Sequence, residues 1–164
     1  TRCHIAGANG LLALSVPIVK PDTIKCPTKD IRISDHGEWR HLHWNAIASA
    51  YGSSPFFEYY QDDIRPFFEK RYEFLLDFNE EICNLIGIEP HIEYSSSYSE
   101  PAPGETDLRD AIHPKKRKAE TILPVQPKPY YQVFSEKYGF QPDLSIIDLL
   151  MNIGPESILI LQNA

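Results

Sequence analysis

Two apolar runs, RCHI and LLALSVPIV, stand at the front of the chain with AGANG between them. Asn9-Gly10 supplies the positive φ angles that a tight reversal requires, so this spacing predicts an antiparallel β-hairpin. The chain then changes period. In HGEWRHLHWNAIASAYGSSPFFEYY, His36 to Tyr60, the residues Trp39, His43, Ala46, Ile47 and Ala50 recur at helical spacing, bordered by a second stripe of Arg40, Trp44, Ile47 and Tyr51. Ser34 or Asp35 is placed to cap this helix, and Asp35 with Glu38 has the spacing of a capping box.

Further elements follow from local chemistry. DIRIS, with Ile31 and Ile33 alternating, predicts a short half-buried strand ahead of the helix. Ser54 and Pro55 suit the start of a second helical piece, and Pro66 predicts a break near Ile64–Arg65 because it lacks an N–H and clashes with the preceding turn. A third helix, with Tyr72, Leu75, Leu76, Ile82, Cys83 and Ile86 at helical spacing, is expected to close at Gly87. HIEYSSS reads as a strand, SSYSEPAPGETD and the KKRK run as loop, and DLSIIDLLMNIG as a helix ending at Gly154. SILILQNA reads as a final strand or short apolar tail. Strands first, helices in the middle and mixed elements last define an α/β or α+β chain: an N-terminal β-hairpin, a central helical segment and a mixed C-terminal part. With 164 residues, 42% of them hydrophobic, residues 1–164 are expected to form a single compact domain.

Composition excludes several functions. Sixteen Lys and Arg against 23 Asp and Glu, net −7, disfavour nucleic acid as a partner. Cys3, Cys26 and Cys83 form no C-x-x-C pair and leave an odd thiol, which points to a reducing compartment and away from a disulfide framework. No membrane span and no signal segment are read, so the expected location is the cytoplasm. Nor is there a Gly-rich phosphate loop or a G-x-S-x-G elbow.

Two clusters invite a chemical reading. His41 and His43 point apart on a helix, and His36 and His43, though seven apart, lack further ligands, so no metal and no cofactor are expected. His43 shares the inward stripe with Trp39 and Ile47, where desolvation tunes an imidazole; it is either a packed core histidine or the functional one of the pair. In ETDLRDAIHPKK, Arg109 is a candidate anion clamp and His113 a candidate proton carrier, against the simpler reading of a solvated surface turn. Asp148 lies among apolar neighbours and needs either a partner or a function; with Ser145 it also has the spacing of a capping box.

Taken in order, TRCHIAGANGLLALSVPIV, EWRHLHWNAIASAYGSSPFFEYY, LLDFNEEICNLIGI and YYQVFSEKYGFQPDLSIIDLLMNIGPES resemble the WbqC-like protein family of bacteria, in its Bacteroidetes form. Arg2, Trp39, His43, Trp44, Tyr51, Gln132 and Asp148 match the family's motif positions. The resemblance implies surface-polysaccharide (O-antigen type) biosynthesis and an upstream strand–helix segment that this chain, with Thr1 before Arg2, is expected to lack. The expected function is a transferase acting on a sugar-linked or acylated intermediate. His43 would be the general base and Asp148 its orienting partner; Arg2 or Arg109 would hold an anionic group, with Trp39, Trp44, Tyr51, His113 and Gln132 binding a small-molecule or nucleotide-sugar substrate. The alternatives are a non-catalytic protein that binds a sugar or nucleotide sugar on its aromatic border, or a structural partner of a biosynthetic enzyme.

Overall fold

The structure, a computed structural model, describes residues 1–23, 26–89, 91–107 and 128–162. The expected hairpin is present: β1 (Arg2–Gly7) pairs antiparallel with β2 (Gly10–Ser15), with Ile5 opposite Leu12 and Cys3 opposite Leu14. Gly10, with φ +106°, is the left-handed residue at the turn and opens β2, so the loop itself is Ala8-Asn9.

Seven helices follow among the described residues: α1 (Trp39–Tyr51), α2 (Phe57–Ile64), α3 (Pro66–Glu69), α4 (Leu75–Leu85), α5 (Ser135–Tyr138), α6 (Ile146–Ile153) and α7 (Ser157–Gln162). The break at Ile64–Arg65 falls where Pro66 put it, with the proline at the start of α3. Helix α1 packs on β1, α2 and α3, and α6 packs on β1 and α2. Ile5, Ile47, Tyr51 and Met151 are fully buried where these elements meet.

Several local expectations are corrected. DIRIS makes only isolated bridges, Ile18 with Ile33 and Arg32 with Phe74, rather than a strand. Its neighbour Pro17 accepts from Ser34 N–H but has no N–H of its own to extend a ladder. HIEYSSS forms no strand among the residues described there, 91–97. SILILQ is helix α7, because Pro155 sets the chain into a 3₁₀ turn, Gly154–Glu156, that runs straight into it; so short an apolar run does not distinguish strand from helix by its own periodicity. Phe56 is the residue before α2, and Ser54 Oγ makes no cap and is buried without a partner.

Helix α1 has Glu38 at its N-cap and no side-chain cap. The carboxylate expected to supply one, Asp35, is taken by two arginines instead: Arg40 Nη1 at 2.6 Å and Arg71 Nη1 at 3.4 Å. Helix α6 is capped as expected, Ser145 Oγ accepting from Ile147 N–H at 3.4 Å, but the capping box is not closed. The Ser145 N–H goes to the His4 carbonyl, 2.7 Å, which covers the outer edge of β1 and leaves the Asp148 carboxylate for other donors.

Gly154 closes α6 with φ +66°, and a Cβ there would lie 2.4 Å from the Phe56 ring. Gly154→Ala is therefore strained in both backbone and packing, and is expected to lower unfolding free energy by about 2–4 kcal/mol. Urea denaturation checks this; an unchanged midpoint would show that Phe56 does not occupy that space.

Candidate functional site

Helix α6 is buried over nearly its whole circumference, from Ile147 to Asn152, so its two polar side chains must find partners inside the protein. Asp148, fully buried, does so completely. Tyr51 O–H donates to Oδ2 at 2.7 Å, Tyr130 O–H to Oδ1 at 2.8 Å, and Gln132 Nε2 to Oδ1 at 3.3 Å. Tyr51 oxygen in turn accepts from the Ala6 N–H of β1 at 3.3 Å. Gln132 clasps Gln141 through two 2.9 Å bonds, one in each direction. Asn152 accepts from Val133 N–H at 3.0 Å and donates to the Asp148 carbonyl at 2.8 Å. This knot joins β1, α1, the segment around residues 130–141 and α6.

Burial pushes the Asp148 carboxyl above the usual carboxylate range, against the lowering effect of its donors. Burial also raises Tyr51 and Tyr130, as does the Asp148 charge beside them, so both phenols remain donors. The knot has no exposed reactive oxygen on Asp148, and its chemistry is that of a tie.

A second place is open. A cleft of about 400 Å³ lies between the start of α1 and the α2–α3 junction. Its walls carry Arg40, Arg65 and Arg71, with Asp35, Glu38 and Glu69 interspersed and Trp44, Phe68 and His41 alongside. Arg65 pairs with Glu69 at 2.7 Å, and His41 shares a 2.9 Å hydrogen bond with Asn45. Trp44 is half-buried, stacked near Phe57 at 6.3 Å and tilted against Phe68 at 6.3 Å. Guanidinium, carboxylate, imidazole and aromatic groups on one concave surface suit a polar ligand with an anionic part and a ring.

The expected site residues divide between these places. Tyr51, Gln132 and Asp148 meet in the knot. His43 does not join them: it is buried beside Trp39, ring centroids 5.2 Å apart, and Phe68, 6.3 Å, and burial lowers its pKa. Tyr51 lies eight residues farther along α1, about 12 Å by helical rise, so Asp148 is not the partner that orients His43. Trp44 reaches the cleft, whereas Trp39 is in the core under the Arg40 guanidinium, 4.6 Å away. Arg2 is exposed on β1 and donates from Nε to Ser15 Oγ at 2.9 Å. Arg109 and His113 lie outside the described residues.

Sequence reasoning missed Tyr130 and Asn152 in the knot and the three arginines of the cleft. An aspartate in the middle of IIDLLMNI is itself a signal for buried donors, and Tyr130 stands two residues from the Gln132 already singled out. Among the described residues no three His, Cys, Asp or Glu side chains gather as a metal ion would need, and no helix is long and apolar enough to cross a membrane.

Hairpin, helical middle, buried carboxylate knot and polar cleft define a small mixed α/β protein with a candidate small-molecule site. The chain belongs to the WbqC-like protein family, whose sequence model matches residues 1–132 and 98–160. It is also similar to an uncharacterised protein of Mycobacterium tuberculosis, 25% identical over 182 aligned positions that cover 95% of this chain and 78% of that protein. No solved structure matches it.

Two variants test the tie. Asp148→Ala deprives the buried Tyr51 hydroxyl and the partly buried Tyr130 hydroxyl of their acceptor and is expected to cost about 3–5 kcal/mol of stability. Because the folded-state pKa of Asp148 is raised, the folded protein holds a proton that the unfolded chain has released. Its contribution to stability is therefore largest below about pH 4, the unfolded value, and falls as pH rises toward the folded pKa. In Asp148→Asn this downward component should vanish from stability measured between about pH 4 and 7. An identical pH profile in the two proteins would remove Asp148 as the titrating group.

Proposed function

We propose that this chain acts in the bacterial cytoplasm, in surface-polysaccharide (O-antigen type) biosynthesis, by holding a sugar-linked or acylated intermediate in the cleft at the start of α1. The observation that carries this reading is the cleft itself, where Arg40, Arg65 and Arg71 meet Trp44 and the carboxylates of Glu38 and Glu69. Carboxylates accept from sugar hydroxyls, an aromatic side chain packs on the apolar face of a sugar or base ring, and arginines take the anionic part. Family membership supplies the biosynthetic context. Binding is favoured over catalysis because His43 and Asp148, the expected base and its partner, make no contact among their hydrogen bonds and ring contacts.

Transfer chemistry is the second reading, and His41 favours it. Its imidazole is exposed on the cleft, where Asn45 Nδ2 donates to Nε2 and Nδ1 carries the ring proton, so Nε2 becomes the base for an acceptor hydroxyl when that hydroxyl takes the place of Asn45. In this reading His41, rather than His43, would be the base.

Trp44 lines the cleft and is one of only two tryptophans, so intrinsic fluorescence reports on occupancy. A panel of nucleotide sugars and methyl glycosides is expected to contain members that quench it saturably, with the effect lost in Trp44→Phe. In a deletion strain, wild type should restore the surface glycan. Folded His41→Gln restores it if the chain only binds and fails to restore it if the chain transfers. Full restoration by a folded Trp44→Ala, together with no quenching by any ligand, would remove the cleft from the function.

A further inference from the structure

The three arginines of the cleft are held with very different firmness. Arg40 is fixed on two sides, by the Trp39 ring 4.6 Å below its guanidinium and by Asp35 Oδ1 at 2.6 Å, and its side chain is only 16% exposed. Arg71 is 81% exposed and reaches the other oxygen of the same carboxylate at 3.4 Å, beyond a good charge-assisted bond. Arg65 is 59% exposed and its partner is Glu69, four residues on and equally exposed, a pair that water and salt largely screen. Asp35 thus bridges a fixed arginine and a loose one, in the manner of an anionic ligand's oxygens. The Arg40 guanidinium beside it holds the Asp35 carboxyl below its ordinary pKa, so it carries its charge at neutral pH.

We propose that the cleft takes a phosphate- or diphosphate-bearing ligand for which Asp35 is a built-in competitor: the phosphoryl oxygens displace Asp35 from Arg71 and are gripped by Arg71 and Arg65, while Arg40 keeps Asp35. This rests on the reading of the cleft as the ligand site. Two exposed planar forks in one lining favour phosphate over carboxylate. A carboxylate has two oxygens and one charge to divide between two arginines, as Asp35 does with one short and one long contact, whereas a phosphoryl group offers three acceptor oxygens and nearly two charges. Glu38 and Glu69 share the lining, and Glu69, paired with Arg65, is a second carboxylate that the phosphate must outcompete. The Trp44 and Phe68 side of the cleft is left for the uncharged remainder of the ligand. Displacement involves no covalent bond making or breaking; the long Arg71–Asp35 contact and the exposed Arg65–Glu69 pair give way to two arginine–phosphate contacts.

Removing the competitor while keeping its shape should therefore tighten binding, the opposite of what loss of a ligand-binding or supporting residue does. Isothermal titration of the full chain at low ionic strength, with inorganic pyrophosphate in one arm and UDP-glucose in the other, reads this directly. Arg71→Gln and Arg65→Gln are each expected to weaken pyrophosphate about tenfold, the scale of one charge-assisted hydrogen bond. Asp35→Asn is expected to tighten it several-fold, and the gain should disappear in Asp35→Asn with Arg71→Gln. Tighter binding of UDP-glucose than of pyrophosphate identifies a linked diphosphate as the ligand; the reverse identifies the free ion, and both support the phosphate site. Weaker or unchanged binding by an Asp35→Asn protein with wild-type circular dichroism overturns the competitor. Absence of binding by both probes at millimolar concentration overturns the phosphate site. If a methyl glycoside still quenches Trp44 in that case, the cleft remains a sugar site and only this inference falls.

Discussion

The Asp148 carboxylate is the interaction on which the rest of the structure depends. It sits in a helix that is buried nearly all round, where an unpaired carboxylate would be intolerable, and it is satisfied by donors from parts of the chain far apart in sequence. Tyr51 brings the end of α1 to it, while Tyr130 and Gln132 bring the segment that precedes α5. Tyr51 also covers an N–H on the outer edge of β1, so the same hydroxyl joins the hairpin to the helices. The aromatic and aliphatic core supplies most of the stabilisation by burial, but it is non-directional. The knot contributes direction, tying the C-terminal end of α1 to α6 and setting where the C-terminal segment runs.

That placement has a consequence for the other end of α1. With Tyr51 anchored at the C-terminal end, the inward stripe of Ile47, His43 and Trp39 is fixed against the core, and Arg40, His41 and Trp44 are turned toward the cleft. Trp39 then serves as the platform on which Arg40 rests. The aromatic density of the His36–Tyr60 stretch therefore has two origins. Trp39, Tyr51 and Tyr60 are packing, while Trp44 and its neighbours form the wall of the cleft.

What was legible in the sequence follows local chemistry. The Asn-Gly signal marked the hairpin, helical spacing marked the buried face of α1, and Pro66 marked the break between α2 and α3, because each acts through residues adjacent in the chain. Partner choice was not legible. Asp35 and Asp148 each stood at a capping-box position; Asp148 was diverted to donors that only the tertiary structure brings within reach, and Asp35 to Arg40, five residues on, and to the remote Arg71. Arg65 and Arg71 flank α3 while Arg40 comes from α1, so no spacing marks the three as a group. Asp148 could be singled out from its apolar surroundings, but not whether it was a tie or a catalyst, since both demand the same residue in the same place.

The central claim is a division of labour, with Asp148 holding the fold and the cleft at the start of α1 holding the ligand. A crystal structure of the full chain with a bound nucleotide sugar tests it most directly. The account predicts the ligand against Trp44, Arg65 and Arg71, with Asp148 still bonded to Tyr51 and Tyr130. A ligand seated on Asp148, Gln132 or His43, with the Tyr51 bond broken to admit it, would contradict the account.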